Sequence, residues 1–387
     1  MPRFSYDDKA KDVKVRQLRL KSKKRFHGLI FVVAMWLLSR MVIVVAMQLI
    51  APSLHLSPAS YNPQPIDFVS GYVPQMGWEL FSHWDGAWYR KIATSGYDYA
   101  NDGQWHSIAF FPLFPLVTRG VMTLGLPFEV AGTLVNNLAF LGALFMLYRW
   151  TKQHHGINAA RWATAVLAWC PLSLYGTVLY TEGLFLLLTT AALRAFDNRQ
   201  YAQAALWGAM ATTARATGVA LIPTFLLVAW RERRPLIAYA TGLSTGGGLV
   251  VFIVYCAIRF KDPLAFVHVQ QAWRHHDWLS IFNNALTLDI ESVIKIVMLI
   301  GGSYLLWHLR TKLNFIVLAY SVFTFALLLM TGATSSFHRY AYATVSLSIG
   351  LGVLLEKYPR WGYALISFFA ILLIDYAIRF AWWQWVA

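Results

Sequence analysis

The chain has 387 residues, of which 58% are hydrophobic and only 13% charged, and its mean hydropathy is +0.48. Soluble globular chains carry about 25% charged residues, so this composition excludes an ordinary water-soluble domain. The formal net charge of +15 would suit nucleic acid, but the placement of the charge argues against that partner.

In chain order, residues 1–27 hold ten Lys or Arg against three Asp and directly precede the apolar run 29–50. That is a cytoplasmic juxtamembrane flank under the positive-inside rule, and it also suits contact with anionic lipid head groups. The run is too long for a cleaved signal peptide, and no small-residue cleavage site follows it. Further apolar runs recur, many near the ~20 residues a helix needs to cross a ~30 Å bilayer core. The expected spans are 28–50, 128–149, 161–180, 183–197, 201–217, 218–230, 236–258, 291–308, 313–331, 338–356 and 361–380. The fold class expected is therefore an all-α polytopic membrane protein of about 11 transmembrane helices. It follows the basic segment 1–27 with a single membrane-embedded domain over 28–387.

The links "RWTKQHHGINAAR", "RAFDNRQ", "WRERRP", "HLRTK" and "EKYPR" all carry Lys or Arg and read as cytoplasmic, as does the N-terminus. They alternate with basic-poor links only if residues 107–127 do not cross, and three prolines make that stretch a poor spanning helix. Residues 51–127 then form a large first extracytoplasmic loop with interfacial or re-entrant helices, and 259–290 a second outer loop. Residues 52–74 are rich in Pro and Ser and read as irregular. Cys170 and Cys256 both lie in apolar runs and suggest neither a disulfide framework nor a metal site.

Ionisable groups are costly inside a bilayer, and those retained there mark functional sites by default. In this topology Asp85 of "SHWDGAWYRKIA", Glu182 of "VLYTEGLF", Arg215 of "TTARATG", and His338 and Arg339 of "TSSFHRY" all collect at the outer ends of spans. Such a set suits a reaction on a lipid phosphate ester. A carboxylate takes the acceptor hydroxyl proton, and guanidinium groups stabilise the departing phosphate. A second carboxylate is useful beside an oxocarbenium-like transition state. Each residue also has a plainer reading. Asp85 suits an N-cap, and Trp84, Trp88 and Ile92 recur at helical spacing as an interfacial anchor. Glu182 suits a turn tip, and Arg215 suits snorkelling to the interface. Arg40, deep in the first span, must find a partner or reach water, and Asp375 and Arg379 sit at i,i+4 to pair with each other. His275, His276 and Asp277 resemble a metal cluster only superficially, and no cofactor is indicated, a divalent cation being the alternative left open.

"LFSHWDGAWYRKIATSGYDY", "AFFPLFPLV", "CPLSLYGTVLYTEGLFLLLTTAAL" and "TTARATG", in that order over about residues 28–220, resemble the PIG-V family. These are mannosyltransferases that add the second mannose of GPI anchors, together with prokaryotic relatives. "KDPLAFVHVQQAWRHHDW" resembles the prokaryotic members. The resemblance implies the GT-C superfamily, an inverting transfer from a polyprenyl-phosphate sugar donor to a lipid or glycan acceptor, and a catalytic carboxylate in the first outer loop. It makes Asp85 the base, flanked by His83 and Trp84. It matches Tyr180-Thr181-Glu182 to the family's Tyr-Ser-Glu motif and Arg215 and Gly218 to its Arg-Ser-Asn-Gly motif. Ala216 and Thr217 depart from the latter, so the acceptor need not be a GPI precursor. Gln270, Trp273 and Arg274 are further candidates for lining the site, and His338 and Arg339 for binding the donor phosphate. The expected membrane is the plasma membrane in a prokaryote or the endoplasmic reticulum in a eukaryote. A transporter or flippase of a lipid-linked sugar, or a non-catalytic subunit of a glycosylation complex, remains the alternative.

Overall fold

The computed structural model describes residues 27–54, 72–273, 278–331 and 336–386, and every regular element among them is helical. Residues 1–26, most of the irregular stretch 52–74, and Arg274, His275, His276 and Asp277 lie outside the described residues.

Helix α1 (His27–Ser53) is the first apolar run and ends in a π-helical turn, Ala46–Ile50. Helices α2 (Asp85–Ser95) and α3 (Leu113–Met122) belong to the first loop. The ten residues of α3 reach only about 15 Å, half a bilayer core. Helix α4 (Phe128–Trp169) holds two of the expected spans, broken at Gly156, whose φ of 87° favours glycine. Then come α5 (Glu182–Asp197), α6 (Tyr201–Ala214), α7 (Leu221–Arg231), α8 (Leu236–Ser244) and α9 (Gly247–Phe260). Short helices α10 (Ala265–His268), α11 (Trp278–Leu286), α12 (Ile290–Ile296) and α13 (Gly302–His308) follow. The chain closes with α14 (Phe315–Thr331), α15 (Phe337–Tyr342), α16 (Val345–Lys357) and α17 (Pro359–Ala381).

Among the described residues four helical stretches are long and apolar enough to cross a membrane: His27–Ser53, Phe128–Trp169, Leu236–Phe260 and Pro359–Ala381. Several other expected spans are shorter or interrupted. The one at 161–180 stops as an α-helix at Trp169, because Pro171 cannot continue it. The one at 338–356 is split between α15 and α16, where Thr344 is extended.

Irregular backbone buried in an apolar protein survives only when its polar groups are satisfied inside it. Residues 170–183 meet that demand through two side chains. Arg40 of α1 donates from Nη1 to Ser173 O (2.7 Å) and Thr177 Oγ1 (2.9 Å), and from Nη2 to Ser173 Oγ (2.8 Å) and Ala168 O (3.3 Å). It thereby takes up one carbonyl at the end of α4, Ala168 O, and one in the turn that follows, Ser173 O. Asn136, in the first half of α4, donates from Nδ2 to Tyr175 O and Val178 O and accepts from the Gly183 N–H. A Cβ at Gly183 would sit 2.3 Å from Asn136 Oδ1, so this approach requires glycine. The Leu179 N–H donates to Phe81 O, which ties the segment to the first loop.

The polar links expected on one side gather at one end of the molecule. Asp197 accepts from Trp150 Nε1 (2.8 Å) and pairs with His154 (2.7 Å), Gln153 bonds Asn198, Arg234 donates to Phe196 O, and Arg231 covers Phe315. Gly28 lies against Tyr148, so the start of α1 shares that end. The two expected outer loops meet at the opposite end. Tyr99 donates to Asp262 (2.5 Å), Trp105 donates to Ala272 O (2.9 Å), and Ile108 and Phe111 pack with Phe252 and Phe266.

Candidate active site

At that second end four buried charges of alternating sign form one chain. Asp85 starts α2, Glu182 starts α5, Arg215 follows α6, and Arg339 lies in α15. Arg339 Nη1 donates to Asp85 Oδ2 at 2.7 Å, and its Nε lies 3.3 Å from Glu182 Oε1. Arg215 Nη1 donates to the same Glu182 oxygen. All four side chains are buried, Glu182 completely. Tyr175, Tyr180 and Tyr340 surround the Arg339 guanidinium at 5.0–5.5 Å, and Tyr340 faces Arg215 at 4.6 Å. Buried charges persist when they are paired in this way. Asp85 does not act as a helix cap, since α2 has no side-chain cap. Glu182 is no turn tip and Arg215 does not snorkel: both point into the protein.

Each charge is placed by local chemistry. The Gly218 N–H donates to Arg215 O (3.0 Å), and a Cβ at Gly218 would meet Ala211 backbone at 2.9 Å. That close return explains why Arg215 is followed three residues later by glycine. Trp84 precedes Asp85 with φ 57° and ψ −119°, a conformation costly for a bulky residue. Surrounding packing holds it: Trp84 lies against Trp383 (5.7 Å) and edge-on to Trp385 (5.2 Å), the second and fourth residues beyond α17. His83 stacks on Trp383 at 4.0 Å and bonds Phe380 O through Nδ1 (2.9 Å) and Tyr72 Oη through Nε2 (3.3 Å). Burial pushes the His83 pKa down to about 4, so the imidazole is neutral at pH 7, donating from Nδ1 and accepting at Nε2. Trp84, Trp88 and Ile92 are all buried, so they do not form the lipid-facing anchor that their spacing suggested. They pack inside the protein because the C-terminal tryptophans and Phe110 cover that face.

The remaining candidates divide. His338 is buried beside Arg339, with Nε2 3.3 Å from Val386 O. Gln270 is exposed, reaches Ala109 O at 3.4 Å, and takes no part in the ionic chain. The Trp273 side chain and all of Arg274 lie outside what is described. Asp375 and Arg379 pair at 2.9 Å on α17 as their spacing suggested, and both cysteines are free. Among the described residues no group of three His, Cys, Asp or Glu side chains is arranged to hold a metal. Sequence reasoning missed Tyr175, Tyr340, Phe380, Trp383 and Trp385. The density of tryptophan in "AWWQWVA" was the available signal.

Four polar atoms around the chain are buried without a hydrogen-bond partner: Trp84 Nε1, Glu182 Oε2, Arg339 Nε and His338 Nδ1. Buried polar atoms are nearly always satisfied by protein or water, so these four have bonding capacity that the protein's own side chains do not fill.

The family model described as Mannosyltransferase (PIG-V) matches residues 26–231. GPI mannosyltransferase 2 of Drosophila pseudoobscura pseudoobscura is 29% identical over 171 residues, covering 38% of this chain and 36% of that protein. GPI alpha-1,6-mannosyltransferase 2 of Homo sapiens is 28% identical over 170 residues, 39% of this chain and 32% of that one. The chain thus spans about a third of the length of these relatives. ArnT from Cupriavidus metallidurans, solved with undecaprenyl phosphate, is similar at a TM-score of 0.54 and 15% identity, over 87% of this chain and 62% of that one. The apo oligosaccharyltransferase of Archaeoglobus fulgidus is similar at a TM-score of 0.50 and 13% identity, over 93% and 56%. At such identities the likeness is one of fold. The family stretch covers more than half of the chain and contains Asp85, Glu182 and Arg215, and the fold extends over nearly all of it. The chain belongs to the PIG-V mannosyltransferase family, with the GT-C fold of membrane glycosyltransferases.

Proposed function

We propose that this protein is an inverting glycosyltransferase that moves a sugar, mannose first among candidates, from a polyprenyl phosphate carrier to a hydroxyl of a lipid or glycan acceptor. The observation that carries the reading is the buried chain Asp85–Arg339–Glu182–Arg215, with its unsatisfied Glu182 oxygen and Arg339 nitrogen. Asp85 accepts the proton of the acceptor hydroxyl as that oxygen bonds to the anomeric carbon. The bond from that carbon to the phosphate oxygen breaks, and its electron pair leaves with the polyprenyl phosphate. Arg339 and Arg215 balance the charge that develops there, and Glu182 faces the oxocarbenium-like centre. Trp84 and His338 line the sugar-phosphate region. The undecaprenyl phosphate bound to ArnT supports a carrier of that type.

The topology that goes with this reading has about 11 spans, a cytoplasmic N-terminus and an extracytoplasmic site. The clustering of basic links at the end opposite Asp85 supports it. A flippase or transporter is less well supported, because the charges sit at one end and not at mid-depth. The test is label transfer in lipid nanodiscs from radiolabelled polyprenyl-phosphate mannose to a membrane lipid and glycan extract. Wild type transfers, and folded Asp85→Asn loses about 10²–10⁴ of the rate. Equal rates in the two proteins remove Asp85 from the chemistry. No transfer with any lipid-linked sugar returns the protein to the transporter or accessory-subunit reading. Two guanidiniums supply the cationic charge in this scheme, so EDTA leaves the wild-type rate unchanged; a rate lost to EDTA and restored by Mn²⁺ or Mg²⁺ contradicts it.

A further inference from the structure

The four charges of the site sum to zero, yet its proposed substrate is an anion. A phosphate entering this chain unchanged would add an uncompensated buried negative charge, which is costly. The geometry shows which contact can yield. Glu182 is held by two cations, Arg215 and Arg339. Asp85 has one cation among the described residues, Arg339. The Arg339 Nε facing Glu182 lies 3.3 Å away and makes no hydrogen bond, so Asp85 is the one carboxylate that hydrogen-bonds the guanidinium among the described residues. If Arg339 turns toward an incoming phosphate, Glu182 keeps Arg215 and only Asp85 is left bare.

We infer that Asp85 and the donor phosphate compete for Arg339, and that donor binding converts Asp85 from an ion-pair partner into the proton acceptor. This rests on the reading of the site as a donor-phosphate site and names the exchange that reading requires. With no donor present, Asp85 Oδ2 accepts from the Arg339 N–H, so the carboxylate is engaged by that cation and not by an acceptor hydroxyl. With the phosphate bound bidentately to Arg339, a buried carboxylate stripped of its cation is driven to bind a proton. The only mobile proton the reaction offers is the one on the acceptor hydroxyl. Base strength and donor occupancy are thereby coupled, and the donor binds before the acceptor is activated.

The coupling makes a prediction opposite to the usual effect of removing a catalytic group. Asp85→Asn abolishes transfer but binds the donor phosphate more tightly, because the competitor for Arg339 is gone. The experiment measures the binding of undecaprenyl phosphate to the full-length protein in nanodiscs of neutral lipid. Inorganic phosphate and phosphatidylglycerol serve as comparison ligands. The expected result is a Kd lowered on the order of tenfold in Asp85→Asn, a typical coupling within a shared charge network, and raised in Arg339→Gln. Inorganic phosphate should follow the same order, and phosphatidylglycerol should not distinguish the proteins. If Asp85→Asn does not fold, Asp85→Ser carries the same expectation. Equal or weaker binding in the folded Asp85 variant overturns the exchange while leaving the donor site intact, and so does equal tightening for phosphatidylglycerol. Absence of undecaprenyl phosphate binding in wild type overturns the donor-site reading itself.

Discussion

His83 sits one residue from Trp84 and two from Asp85, and it is held neutral by burial against Trp383 and Phe380. Its folded-state pKa of about 4 lies below the ordinary value of 6.5. Above pH 6.5 neither folded nor unfolded chain protonates it, and its contribution to stability is fully present. As the pH falls from 6.5 toward 4 the unfolded chain binds the proton first, and stability is lost by up to about 3 kcal/mol. Thermal unfolding in detergent at pH 7 and pH 5 should therefore show a drop in wild type that His83→Phe makes smaller; identical pH dependence in both proteins places the titrating group elsewhere. The four charges of the site were legible from residue type, because a charge in an apolar run needs a reason. The aromatic cover was not. Tryptophans in a membrane chain read by default as interfacial anchors, and nothing in local spacing says that Trp383 lies on His83.

Among the elements, the segment between α4 and α5 carries the most information. Its composition is apolar enough to continue a span, which is why 161–180 reads as one helix. Pro171 breaks that helix, and a side chain 133 positions before Ser173 repairs the break. The repairing residue, Arg40, has no carboxylate partner among the described residues and binds carbonyls and hydroxyls instead. Sequence shows that Arg40 needs a partner but cannot show that the partner is backbone. Arg40→Met leaves acceptors unmet, at about 1–3 kcal/mol each, and should lower the melting temperature by several degrees. Glu182 is carried at the end of this segment, so transfer should fall as well, with Arg40→Lys recovering part of both. An Arg40→Met protein with unchanged melting would show that water serves the same carbonyls.

On the scale of the whole molecule, the element order follows the hydropathy pattern closely, while the lengths do not. Helices of 11–17 residues such as α5, α7 and α14 occupy positions expected to be full spans. They achieve this by packing on neighbouring helices, α5 on α4 and α6, α7 on α8 and α14, and α14 on α7 and α16, a solution that depends on tertiary context and not on apolar length. The two ends of the molecule remain distinct, and their sidedness is open to direct measurement. In a background lacking Cys170 and Cys256, a cysteine at exposed Gln153 and one at exposed Asp102 should react with an impermeant maleimide from opposite sides of sealed vesicles. Position 102 should be the one reached from outside, and labelling of both from one side contradicts the topology.

Asp85 and Arg339 are 254 positions apart, and His83 and Phe380 are 297 apart. During synthesis at roughly 5–20 residues per second, the carboxylate therefore waits about 13–50 s for its cation. The tryptophans that hold Trp84 in place emerge later still. Nascent chains stalled before α15 would carry the entire family-matching stretch yet no assembled ionic site. Under the proposed function, such a chain would hold Asp85 without its cation and Trp84 without its cover, and transfer would have to wait for α15 and the residues beyond α17.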